Sequence, residues 1–129
     1  MIVLDTHAFV WWRSGSSRLS SVALDAIEAT GYVVLPDVVL LEIAMLAEAG
    51  CIKLDRSAGT WLQDAVADPS IEVMPIDPEI AQRAIGVRRI LGGGDPVDAV
   101  IAATALRLNV PLVTRDARLS ALRMIETVW

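Results

Sequence analysis

The sequence predicts an α/β fold with a central, mostly parallel β-sheet flanked by helices, on three observations. Short runs rich in Val, Ile and Leu alternate with longer segments whose apolar residues repeat at helical spacing. Helix-start and helix-stop residues punctuate that alternation, with Ser or Asp-Pro before the helical segments and Gly after several of them. Hydrophobic residues make up 54% of the 129 and charged residues 21%, which is enough apolar material for one core and the reverse of a disordered composition. One core organises about 100–200 residues, so the chain reads as a single domain, 1–129, without linker or internal repeat.

Each element has a local reason. Residues 2–5 (Ile-Val-Leu-Asp) read as a buried first strand, and 6–13 as a short helix carrying Trp11 and Trp12. That helix is closed by the loop Ser14–Ser17. Ser20 or Ser21 caps a helix to about Thr30, with Gly31 as its stop. Tyr32–Leu35 is a second strand; Pro36-Asp37 ends it and caps the helix Val38–Ala49, which stops at Gly50. Ser57 caps a helix to about Ala67, broken by Asp68-Pro69, and Ile71–Met74 is a third strand. Asp77-Pro78 opens a helix with one buried stripe, Ile80, Ala84, Val87 and Leu91, ended by Gly92–Gly94. Asp95-Pro96 opens the next, to Leu108. Pro111–Thr114 is a fourth strand, Ala117–Arg123 a short helix and Ile125–Trp129 a final edge strand.

Charge and composition exclude several function classes. Eleven basic against sixteen acidic residues give a net charge of −5, unlike a protein that holds nucleic acid on a broad basic surface. A metal held by carboxylates can still supply positive charge locally. The single cysteine, Cys51, rules out an internal disulfide and a multi-thiolate zinc site. Met1-Ile2-Val3-Leu4-Asp5 has no basic leader region, and no apolar run approaches the ~20 residues of a membrane span. A soluble, cytoplasmic protein is expected. Its apolar surplus suits a protein–protein interface.

Ligands of open parallel sheets bind outside the carboxyl ends of the strands. Asp5 ends strand one there, and Asp116 follows strand four at the same edge; each also suits a helix N-cap, and both roles stay open. Glu42 lies in the second turn of its helix with Val38, Met45 and Leu46 on its face, and a lone carboxylate among aliphatics is costly unless paired or coordinated. Glu48, in the last turn, reads as solvated. Asp95 is explained as the N-cap before Pro96, whereas Asp98 is not needed for capping. It shares a face with Ile101, Ala102 and Ala105, and small alanines let that helix approach the sheet. Four carboxylates in one cleft repel unless a cation is bound. Oxygen ligands without a His or Cys cluster favour Mg²⁺ or Mn²⁺, ions that act on phosphate esters. The residues alone therefore point to a metal-dependent phosphodiesterase or phosphatase.

At these residues the chain resembles the PIN-domain ribonucleases that serve as VapC toxins in type II toxin–antitoxin pairs. The resemblance rests on the opening strand with Asp5-Thr6-His7, Glu42 early in a helix, Asp95-Pro96-Val97-Asp98 followed by Ile101-Ala102-Ala103-Thr104-Ala105, and Val113-Thr114-Arg115-Asp116. The ending Ile125–Trp129 resembles a subgroup, and the likeness covers essentially the whole chain. It implies a single PIN-like domain in which Asp5, Glu42, Asp98 and Asp116 are the metal-binding catalytic acids and Thr114 supports them by hydrogen bonding. It implies endonucleolytic cleavage of RNA with Mg²⁺ or Mn²⁺, a homodimer, and a cognate antitoxin whose C-terminal segment occupies the groove near the site.

Other residues carry two readings each. His7 orients a phosphate or carries a proton, or else packs in the first helical turn with Thr6. Arg115 contacts RNA phosphate or forms a surface ion pair. Trp11 and Trp12 stack bases, or belong to core or interface. Arg88 and Arg89 face solvent or a partner. Gly92–Gly94 lacks the Lys and Ser/Thr of a phosphate loop and is a helix stop. The competing functions are a phosphatase using Asp5 as nucleophile, a phospho-acceptor signalling domain, and a catalytically silent partner-binding scaffold. The first wants an acid where His7 stands, and both of the first two want a late lysine, for which Lys53 is badly placed.

Overall fold

A computed structural model describes all 129 residues. Five strands, β1 (Ile2–Leu4), β2 (Val33–Pro36), β3 (Ile71–Met74), β4 (Leu112–Val113) and β5 (Thr127–Val128), form one sheet in the order β3-β2-β1-β4-β5. All four pairings are parallel, so the sheet is wholly rather than mostly parallel. Val3 is opposite both Val34 and Leu112, which places β1 at the centre. From β1 the chain runs outward to β2 and β3, then returns to add β4 and β5 on the other side. The switch point of the sheet therefore lies between β1 and β4, where a ligand cleft is expected in such folds.

Seven helices surround the sheet: α1 (Thr6–Arg13), α2 (Ser21–Thr30), α3 (Asp37–Glu48), α4 (Ala58–Val66), α5 (Pro78–Ile90), α6 (Pro96–Leu108) and α7 (Ala117–Ser120). Most start where a side chain can take a free backbone N–H. Ser20, Ser57 and Asp77 accept from Ala23, Thr60 and Ile80 respectively. Gly31 ends α2 in the left-handed region at φ 61°, and Asn109 does the same for α6 at φ 53°. Val3, Leu4, Phe9, Ile43, Ile80 and Ile101 are fully buried at the centre of one core. Buried Ala99, Ala102, Ala103 and Ala105 let α6 pack closely on β1, β2, α3 and α5, as the alanine run predicts.

Several boundaries differ from the sequence expectation, among them β4, which covers only Leu112–Val113 of the expected Pro111–Thr114. Strand β2 continues through Pro36, whose place at the strand end costs no interior hydrogen bond, and α3 begins at Asp37 without a side-chain cap. Asp37 instead accepts from the Ile76 N–H at 3.3 Å, tying the start of α3 to the loop after β3. The last helix stops at Ser120 rather than Arg123. Beyond it Leu119, Leu122 and Ile125 are buried at every third position, and i+3 backbone bonds at Leu122 and Ile125 carry the chain through tight turns. The edge strand is correspondingly short, Thr127–Val128 within the expected 125–129.

Candidate metal centre

Asp5, Glu42, Asp98 and Asp116 reach one cleft of about 1180 Å³ from four separate segments. Asp5 follows β1, and its Oδ1 accepts the Ala8 N–H at 2.8 Å. Asp116 follows β4 and accepts the Arg118 N–H at 2.8 Å. Both therefore cap a helix and also line the cleft. Thr114, wholly buried just beyond β4, accepts the Asp116 N–H at 3.0 Å, and its hydroxyl acts to lower the pKa of Asp5. It joins the two strands of the switch point at the site itself.

Burial raises the pKa of Asp5 above its ordinary value, and repulsion from Asp116 adds to this, against the lowering contacts with Thr114, the Ala8 N–H and His7. Glu42 is also raised, first by burial and then by repulsion from Asp95 and Asp5, against the Thr6 hydroxyl and His7. Thr6 itself is buried, and its hydroxyl finds no well-aligned hydrogen-bond partner. The face around Glu42 differs from the expectation. Met45 is 59% exposed and Leu41 63%, while Val39 and Ile43 enter the core, so Glu42 stands in a cleft wall rather than among buried aliphatics.

Asp98, in the first turn of α6, is pushed up to about 6 by burial and then by the neighbouring charges of Asp95, Asp116, Glu42 and Asp5. That list includes an acid the sequence set aside. Asp95 does cap α6 through Val97, yet it lines the same cleft and is the strongest charge acting on both Asp98 and Glu42. The donor set is oxygen-rich and mutually repelling, which fits a hard divalent cation. In the side-chain positions of this structure no three Asp, Glu, His or Cys groups close into a metal cage.

The lead-in to Asp95 and Asp98 is also held from both sides. Gly92, Gly93 and Gly94 take φ values of 73°, 99° and 108°, a path that side chains with a Cβ rarely follow. Arg118 Nη2 donates to the carbonyls of Leu91 and Gly93, and half-buried Arg88 donates to that of Gly94 at 3.1 Å. The glycines are thus more than a helix stop, and Arg88 does not face solvent freely as expected; Arg89 does.

His7 stands exposed on the cleft wall and Arg115 extends beside Asp116, its guanidinium carbon 5.4 Å from the Trp11 ring centroid. Arg115 forms a cation–π contact here rather than a surface ion pair. Arg18, Lys53 and Trp129 also line the cleft and were not legible as site residues. Lys53, dismissed for its sequence position, is brought in by the loop after α3. No helix is long and apolar enough to cross a membrane.

A parallel sheet with acids gathered at its switch point defines a nuclease-like α/β domain, and the PIN domain family model matches residues 2–124. The chain belongs to the PIN domain family. It is 34% identical over 130 residues to Ribonuclease VapC22 of Mycobacterium tuberculosis, covering 99% of this chain and 98% of that protein. In fold it resembles Mycobacterium tuberculosis VapC20, described as a Sarcin-Ricin loop cleaving toxin, with a TM-score of 0.70, 20% identity and 98% of each chain covered. A toxin-antitoxin complex from Klebsiella pneumoniae also matches with a TM-score of 0.70 and 20% identity, over 97% of this chain and 95% of that one.

Proposed function

We propose that this chain is a divalent-metal-dependent endoribonuclease and the toxin half of a toxin–antitoxin pair. One observation carries the reading: four acids from four segments open on a single cleft at the carboxyl edge of a parallel sheet, in a PIN domain. The ribonuclease relative supports RNA as the substrate, and family membership sets aside the Asp5 phosphatase. Asp5, Asp98, Glu42 and Asp116 would hold the metal, with Mg²⁺ or Mn²⁺ fitting the all-oxygen donors. Bound there, the ion would activate water and stabilise charge on the phosphodiester.

The chain's own groups have separable tasks. Asp98, raised to about 6 by burial and then by its neighbouring acids, would be held ionised by a cation bound among them. Thr114 orients Asp5, and Thr6 lies beside Glu42 and keeps it from rising further. His7 and Arg115 flank the acids, where a proton or a phosphate oxygen is handled. Leu41 and Met45, exposed at the cleft, offer an apolar strip to an antitoxin segment. A cytoplasmic homodimer completes the proposal.

The test is Mn²⁺ binding by calorimetry alongside RNA cleavage, on the wild type, Asp5→Asn and Asp98→Asn. Metal-dependent cleavage by the wild type, lost in both variants with the fold retained, is the expected result. Full activity in both variants removes the assigned acids. A wild type that binds no metal and cuts no RNA is instead a silent scaffold.

A further inference from the structure

Three aromatic rings form a continuous row along one wall of the acidic cleft. His7 and Trp11 have ring centroids 5.5 Å apart, and Trp11 and Trp129 5.8 Å apart. Arg115 lies over Trp11, and all four side chains line the cleft that holds the acids. Trp12, the neighbour of Trp11, does something different: it packs on Phe9 under Arg13 and does not reach the cleft. Both tryptophans pack partly against the core, and of the two only Trp11 also lines the cleft.

We infer that the Trp11–Trp129 wall is a stacking subsite for an unpaired nucleobase of single-stranded RNA next to the phosphodiester that is cut. The inference rests on the ribonuclease reading of the same cleft. Both indoles remain partly exposed in a cleft, where apolar surface stays wetted until a ligand covers it. The row starts at His7, two residues from Asp5, and Trp11 lies roughly 9 Å further along the α1 axis from Asp5. A base on this wall leaves its phosphate near the acids at one end. Arg115, bound to the wall and adjacent to Asp116, supplies positive charge for that phosphate. Lys53 and Arg18 add positive charge to a cleft whose chain is otherwise acidic. Flat rings with flanking cations are how proteins take single strands with little preference for sequence. Trp129 lies beyond residues 2–124, the segment that the family model matches.

The experiment measures binding of a six-nucleotide oligouridylate, and of an abasic ribose-phosphate oligomer of equal length, to the cleavage-blocked Asp98→Asn chain in Mg²⁺. Adding Trp129→Ala should weaken the base-bearing oligomer about tenfold and leave the abasic one unchanged. Trp129→Phe, which keeps a flat ring, should recover most of the loss and guards against a merely unfolded variant. Equal binding of oligouridylate with and without Trp129, or the same loss for the abasic oligomer, overturns the subsite. If the wild-type chain meanwhile cleaves RNA, the ribonuclease reading survives that result. A wild type that neither cleaves nor binds RNA overturns both.

Discussion

Replacing Asp98 by Asn should make the metal-free protein more stable while destroying its chemistry. Asp98 caps nothing, because Asp95 takes the Val97 N–H, and burial first, then the charges of four other carboxylates, raise its pKa to about 6 from an ordinary 3.8. At 1.36 kcal/mol per tenfold in proton affinity, keeping it ionised in the folded state costs about 3 kcal/mol at neutral pH. Solvent reaches part of the group, which roughly halves the figure to about 1.5 kcal/mol. The N-terminus of α6 attracts negative charge and returns about 0.5 kcal/mol. Asparagine should therefore gain about 1 kcal/mol, or roughly 4 °C in Tm for a chain this size. The sign follows from the direction of the shift. The folded state holds the Asp98 proton more tightly than the unfolded state does, so the penalty is complete above pH 6, shrinks as pH falls through 6, and vanishes below 3.8. Thermal unfolding followed by circular dichroism in EDTA should show the gap at pH 7.5 and about half of it at pH 5. A variant no more stable than wild type at pH 7.5 would refute the burial and electrostatic crowding of Asp98 in the cleft.

Further tests bear on the metal, the substrate and the scaffold. Mn²⁺ at a hundredfold excess over its Kd should stabilise the wild type by about 2.7 kcal/mol in thermal unfolding and Asp98→Asn far less; an equal rise in both would place the ion elsewhere. Lys53→Ala should raise KM for RNA several-fold, leave kcat unchanged and flatten the salt dependence, since it removes one phosphate contact. Gly94→Ala puts a Cβ 2.8 Å from Arg118 Nη2 at a φ of +108°, so a loss of at least about 1 kcal/mol is expected in urea unfolding. Ile101→Ala, fully buried on α6, should cost about 2–5 kcal/mol by the same measurement.

Elements with both a start and a stop residue are legible from sequence almost to the residue. Ser20 and Gly31 bracket α2, and Asp77-Pro78 opens α5 as expected. The stretch after Pro111 is less legible because its strands have two residues each, too few for a period to declare itself, and they rest on pairing with β1 and β4. The convergence of four acids on one cleft is legible because each stands at a strand end or an early helical turn, where local patterning fixes direction. Asp95 was hidden by a capping role that accounted for it fully. Lys53 sits on a loop with no periodicity, and Trp129 reaches Trp11 only through the tertiary placement of β5. That Glu42 lines a cleft wall is only partly legible, since exposure of Leu41 and Met45 depends on what α3 leaves uncovered.

Because Asp5 and Asp116 each hold a helix start with one carboxylate oxygen while facing the cleft, substitutions at these positions divide into two kinds. Asparagine caps a helix about as well as aspartate. Asp5→Asn and Asp116→Asn would persist as folded, inert copies whose outer surface is unaltered. Alanine removes the charge and the cap together, at roughly 1 kcal/mol for each helix start, and pushes the chain towards unfolding and proteolytic clearance. In cells, the first kind would go on occupying whatever neutralises the active protein, acting as a decoy, and the second would simply disappear.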